Sequence, residues 1–255
     1  MLLAIDIGNT SVHFGVFAGE ELRGSWRMGM DRERLPDEYA ILMLGLLRTC
    51  GINPGDIRDC VLSSTVPELT PTFCELTRRY FGCTPLVVGS GVRTGLRILY
   101  DNPRDVGADR VLDAVAALKL YGPPLIVVDC GTATVFDAIS REGDYVGGAI
   151  APGIGIAAEA LFQRASKLHH VELEKPKLAI GKNNVHSLQS GIMFGYVGLV
   201  EGIVERFQRE LGGGARVIGT GGYAATIARE TDVFDAVNIN LTLLGLRLVH
   251  ELNRG

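Results

Sequence analysis

The stretch "LAIDIGNTSVHF", residues 3–14, begins as an apolar strand and then sets Asp6, Gly8, Asn9 and Thr10 where a core strand would continue. A second stretch, "LIVVDCGTATVF", residues 125–136, uses the same device about half a chain later. A tight turn with glycine at its bend lets backbone N–H groups approach an anion, and the hydroxyl of Thr10 or Thr132 adds a donor. A carboxylate at the strand end, Asp6 or Asp129, repels phosphate, but it can hold a hydrated Mg²⁺ that in turn holds phosphate oxygens. Asp, Gly and Asn also favour turns for local reasons, so one such turn decides little. Two of them at matching places, with a third glycine loop "GTGG" at 219–222, point to a nucleoside triphosphate. That third loop suits an adenosine resting on a strand end.

The rest of the chain arranges itself around these turns. In the first half, residues 1–29 read as three antiparallel strands with a turn at Gly19-Glu20. The spacing then predicts a helix over 37–49, a short buried strand over 59–67 and a helix to about Tyr80. A strand over 84–89 and a helix over 106–122 follow. The order restarts at residue 123. Two strands flank the second turn, a third runs through "DYVGGAIAPG", and a helix covers 154–164. A long helix over 187–211, a strand over 215–222 and a closing helix over 240–251 complete the chain. This is an α/β plan written twice, with domains expected at 1–118 and 119–255. No Ser/Pro linker separates the halves, so they are expected to pack with a cleft between them.

Composition excludes several classes. The chain has 255 residues, is 47% hydrophobic and 21% charged, and carries a net charge of −4. That suffices for one large domain or two small ones, and it lacks the basic face that nucleic acid requires. No apolar run reads as a membrane span, and no signal peptide is evident at the N-terminus. Five cysteines without a CxxC pair argue for reduced thiols in a cytoplasm, against both a disulfide frame and a zinc site.

The central stretch "LYDNPRDVGADR", residues 99–110, sets Asp109 and Arg110 at the start of a helix. Asp109 could be a helix cap, worth about 1 kcal/mol. It could equally be a base that accepts a hydroxyl proton, beside an arginine that grips a carboxylate in a bidentate pair. Both readings remain open from the residues alone. His13 likewise serves either phosphate or packing. His169 and His170 read as surface, Trp26 as packing, and Cys130 as a filler. Gly191, Gly195, Gly198 and Gly202 predict a long helix packed closely on a sheet or on a dimer mate.

The paired turns resemble the superfamily of sugar kinases, actin and heat-shock chaperone ATPases. That likeness implies two duplicated ribonuclease-H-like domains, each a mixed five-stranded sheet flanked by helices, with ATP bound in the cleft. DIGNT, NPxxVGADR, DxGTAT and "GGAIAPG" (147–153), in that order, narrow it further: the chain resembles type III pantothenate kinases. The resemblance implies ATP-dependent phosphorylation of pantothenate, the first step of coenzyme A biosynthesis, by a cytoplasmic homodimer with no membrane or nucleic-acid partner. By position, Asp6, Ile7, Gly8, Asn9, Thr10, Ser11, Val12 and His13 form the first phosphate loop, with Asp6 serving Mg²⁺. Thr132 touches ATP, and Asp129 helps hold a monovalent cation, K⁺ or NH₄⁺. Asp109 is the base, and Tyr100, Gly107, Ala108 and Arg110 hold pantothenate. Asn184 stands where the family usually has Thr, a position expected to reach the neighbouring subunit's substrate. A non-enzymatic regulator of the same fold and a kinase for another small alcohol are the rival readings.

Overall fold

The structure, a computed structural model, describes residues 1–164 and 170–254; His169 lies outside them. The chain forms two compact units. One comprises Met1–Leu96, Asp101–Ala116 and Asn240–Gly255, the other Arg97–Tyr100 and Ala117–Ile239.

In the first unit, β1 (Leu2–Ile7), β2 (Ser11–Ala18), β3 (Glu21–Gly29), β4 (Asp59–Ser64) and β5 (Leu86–Val87) form one sheet in the order β3-β2-β1-β4-β5. The β1–β2 and β2–β3 pairs are antiparallel, while β1–β4 and β4–β5 are parallel. Helices cover both faces, so β1 is almost wholly apolar and buried, whereas the edge strand β3 alternates between exposed and half-buried. On one face, α1 (Pro36–Thr49) and α2 (Thr70–Phe81) bury Leu3, Ile5 and Ile7 with Tyr39, Met43, Phe73 and Leu76. Trp26 stacks on Phe14 at 5.2 Å between ring centres, the packing role expected of it. On the other face, Leu2, Ala4, Phe17 and Val61 meet Leu112 of α3 (Ala108–Tyr121) and Leu243, Leu246 and Val249 of α7 (Leu241–Asn253).

The placement of α7 departs from the sequence reading, which assigned all of 119–255 to the second half. Its apolar stripe packs on β1, β2 and β4 of the first sheet. Gly245 permits the approach: a Cβ there would come within 2.2 Å of the Leu112 carbonyl oxygen. The Thr242 hydroxyl also donates to the Asp113 carboxylate at 2.7 Å, fastening α7 to α3.

In the second unit, β6 (Leu125–Cys130), β7 (Ala133–Ile139), β8 (Tyr145–Pro152), β9 (Arg216–Thr220) and β10 (Ala236–Val237) form a sheet in the order β10-β9-β6-β7-β8. Read from β8, this repeats the first sheet strand for strand, with the same pattern of parallel and antiparallel pairs. The helices are α4 (Ile154–Arg164), α5 (Asn184–Glu210) and α6 (Ala224–Ala228). The sequence reading did not foresee the short elements α6 and β10, which are too brief to show a period.

Two further expectations change, and a third narrows to one of its two alternatives. Cys60 of β4 and Cys83, just past the end of α2, form a disulfide with Cα atoms 6.2 Å apart, where reduced thiols were expected; the fold brings residues 23 apart in sequence face to face. By length and composition α5 could cross a membrane, its best window averaging a hydropathy of 1.2. The sequence reading saw no such run, and 39% of that window is buried in the protein. Finally, α5 packs through Leu188, Met193, Tyr196, Val197, Val200 and Val204. Its glycine face is open: among the described residues, nothing lies within 4 Å of a Cβ built at Gly191, Gly195 or Gly198.

Candidate active site

Asp6 closes β1, and its register fixes its neighbours. It pairs with Ser63 on β4 and with His13 on β2, and His13 pairs with Arg27 on β3. Residues paired across a sheet share a face. Ser63, Asp6, His13 and Arg27 therefore form one polar row across four strands, on the face that carries α3 and α7. The Ser63 hydroxyl donates to Asp6 Oδ1 at 2.6 Å. Asn240, at the N-cap position of α7, lies close enough to His13 for its side chain to act on the imidazole.

Asp109 enters from the first turn of α3. It is inside the helix rather than its cap, since Val111 N–H already donates to the Gly107 carbonyl. The Arg110 N–H donates to Asp109 Oδ1 at 2.9 Å. The carboxylate folds back over Gly107, where a Cβ would come within 2.4 Å of Oδ1, so a larger residue there would displace the Asp109 carboxylate. Arg110 is buried beside it.

The electrostatics show that these groups act on one another. The Asp6 carboxyl is raised to about 6, chiefly by burial and further by the Asp109 charge, against the Ser63 hydrogen bond and the Arg27 charge. His13 is pushed down to about 3 by burial and by Arg27, so its ring is neutral near pH 7. Two carboxylates whose charges act on each other favour a bound cation. The fit to Mg²⁺ rests on that, on the oxygen-only chemistry of the carboxylates, and on the turn beside them. In that turn Gly8 N–H donates to the Ser11 carbonyl at 3.0 Å, and Thr65, at the end of β4, holds the loop from below. The Thr65 N–H donates to the Ile7 carbonyl at 2.9 Å, and its hydroxyl accepts from Asn9 Nδ2 at 3.4 Å. Asn9 and Thr10 are exposed at the tip, whereas Ile7 and Val12 are core residues.

In the second unit Asp129 takes the place of Asp6. It pairs with Thr220 on β9 and Val135 on β7, and Val135 pairs with Ile150 on β8. Its carboxylate lies against glycine: a Cβ at Gly221 would come within 2.2 Å of Oδ1, and one at Gly131 within 3.3 Å. The second turn and the "GTGG" loop therefore meet at Asp129. The Thr132 carbonyl accepts from Gly153 N–H at 3.1 Å, and a Cβ at Gly153 would collide with it. The Cys130 thiol is buried and pushed up to about 12 by that burial, which makes it inert filler. Tyr100 lies 6.4 Å, ring to ring, from Tyr145, whose hydroxyl donates to the buried Asp137 at 2.6 Å. Asn184 opens α5, exposed, after Asn183 has capped it by accepting from His186 N–H at 2.8 Å.

The sequence reading missed Ser63, Thr65, Arg27 and Asn240. Each reads locally as an ordinary strand or loop residue. Only strand register and helix packing bring them to Asp6.

Comparison with known proteins follows the same lines. A family profile described as type III pantothenate kinase matches residues 2–206. The chain is 53% identical to the type III pantothenate kinase of Moorella thermoacetica, covering 99% of this chain and 100% of that one. It is 51% identical to that of Dehalococcoides mccartyi strain BAV1, covering 99% and 96%. Among solved structures, a Baf family transcriptional activator from Campylobacter jejuni, described as conserved and putative, superposes with a TM-score of 0.63 at 18% identity, covering 98% of each chain. A protein from Sinorhizobium meliloti described as a putative 2-dehydro-3-deoxygalactonokinase superposes at 0.58 and 14% identity, covering 100% of this chain and 97% of that one. At such identities these two share the fold alone. Matched by the family profile and by relatives of half-identical sequence over its whole length, the chain belongs to the type III pantothenate kinase family.

Proposed function

We propose that this protein phosphorylates pantothenate with ATP, giving 4'-phosphopantothenate, the first step of coenzyme A biosynthesis. The observation that supports this most is the Asp109 carboxylate at the start of α3, close enough to Asp6 for its charge to act on it. In this reading Asp109 orients the primary hydroxyl and takes its proton as the new P–O bond forms. The bond from the γ-phosphorus to ADP breaks in line. The residues of the first loop, Asp6 to His13, hold the phosphates through N–H groups and the Thr10 hydroxyl. Among the described residues no cluster of three His, Cys, Asp or Glu side chains forms a metal cage. Asp6 would therefore hold Mg²⁺ together with phosphate oxygens and water, and the bound ion supplies positive charge to the triphosphate.

Arg110, buried beside Asp109, would pair with the pantothenate carboxylate, with Gly107, Ala108 and Tyr100 as further contacts. Thr132 adds a contact to ATP. Asp129, set among glycine backbone, would hold K⁺ or NH₄⁺. We further propose a cytoplasmic homodimer formed through the open glycine face of α5, with Asn184 reaching the partner's substrate.

The test is direct. Purified protein with ATP, Mg²⁺, K⁺ and pantothenate should yield phosphopantothenate, and exchanging K⁺ for Na⁺ should cut the rate at least tenfold. Preference for another alcohol would replace pantothenate as the substrate. No phosphorylated product at all would favour a non-catalytic regulator.

A further inference from the structure

We infer that Arg27 is a catalytic residue that contacts the phosphoryl group as it is transferred, an assignment that rests on the ATP reading of the first loop. Arg27 pairs with His13, which pairs with Asp6, so its side chain leaves the same face of the sheet as the Asp6 carboxylate. The guanidinium charge is felt at both groups, opposing protonation of each. Arg27 is exposed, so it is not placed to neutralise a core charge.

The duplicated sheet supplies an internal control. The row Ser63–Asp6–His13–Arg27 corresponds, strand for strand, to Thr220–Asp129–Val135–Ile150. The hydroxyl and the carboxylate recur at the parallel pair. The two outer positions do not: where the first unit has His and Arg, the second has Val and Ile. Ile150 is 66% exposed, so this edge position accepts an apolar side chain without burying it. The fold therefore does not ask for a cation at Arg27; the chemistry beside Asp6 does.

The chemistry is specific. Phosphoryl transfer spreads negative charge over the three equatorial oxygens of the moving group. Asp6 near the end of β1 and Asp109 in the first turn of α3 add two acidic groups beside it. A guanidinium meets the phosphoryl oxygens with a planar fork of donors, and such contacts act mainly in the transition state. The P–O bond to ADP breaks, the bond to the acceptor oxygen forms, and the proton goes to Asp109; Arg27 donates hydrogen bonds throughout and keeps its own protons.

Arg27→Gln and Arg27→Lys test this by steady-state kinetics and by calorimetric binding of ATP and ADP. Arg27→Gln should lower kcat about 100-fold or more, with the KM for pantothenate within threefold of wild type. Arg27→Lys should recover about a tenth of the wild-type rate. Arg27→Gln should keep its calorimetric affinities for ATP and ADP within threefold of wild type, which separates loss of a transition-state contact from loss of nucleotide binding. A kcat within threefold of wild type, or a rise confined to the KM for pantothenate, would overturn the assignment. If wild-type protein bound ATP and ADP alike and phosphorylated nothing, the ATP reading itself would fail, a result separable from an Arg27 variant that works normally.

Discussion

The two sheets have one topology and two surroundings for the same aspartate. Asp6 sits in a row of hydroxyl, carboxylate, imidazole and guanidinium, with a second carboxylate approaching from α3. Asp129 has a hydroxyl on one side and aliphatic residues on the other, and its carboxylate rests against the glycines of two loops. A duplicated scaffold has thus kept its backbone and its strand-end carboxylate while dividing the chemistry. Side chains that move or offset charge collect in the first unit, and close backbone approach collects in the second.

If the first unit holds the base, Asp109→Asn should show the largest effect. We expect kcat to fall about 10³-fold, with ATP affinity measured by calorimetry within threefold of wild type. Turnover near the wild-type rate would take the base away from that row.

A smaller effect tests Asp6 by stability. The Asp6 carboxyl titrates near 6 in the folded protein and near the ordinary 3.8 when unfolded. Folding therefore favours its protonated form. That favourable contribution is complete below about pH 4 and is lost as pH rises through 6. Asp6→Asn should remove the dependence. The variant should be more stable than wild type at pH 8, by on the order of 1–3 kcal/mol, and equal to it near pH 3.5. Urea unfolding at the two pH values checks this. Equal stability at pH 8 would mean that Asp6 carries no such strain, even though the variant should lose phosphoryl transfer.

The smallest effect concerns the outer position of the row. Ile150→Arg places in the second sheet the residue type that the first sheet carries at Arg27. On an exposed edge it should change stability by less than about 0.5 kcal/mol and the rate by less than twofold. A large loss would show that the edge position is constrained by the fold, and the contrast with Arg27 would lose its force.

Much of this was legible in the residues. The strand–turn–strand openings at 3–14 and 125–136 follow from apolar alternation broken by Asp, Gly and Thr. The start of α3 near Asp109 follows from a glycine and a carboxylate before an apolar period. Other features were not legible, for reasons that lie in distance along the chain. The paired cysteines 60 and 83 have no local signature, and α7 looks like any amphipathic helix until Gly245 is seen against Leu112. Arg27 sits in a strand whose pattern says only that it faces water.

The sequence alone determined the repeated plan, the paired glycine turns and the family likeness, because turn chemistry and apolar period act between near neighbours. Tertiary structure decided which residues stand beside Asp6. Cross-strand register sets Ser63, His13 and Arg27 on its face, and helix packing brings Asp109 and Asn240 to them. Register is a property of two strands together, and no single stretch of chain contains it.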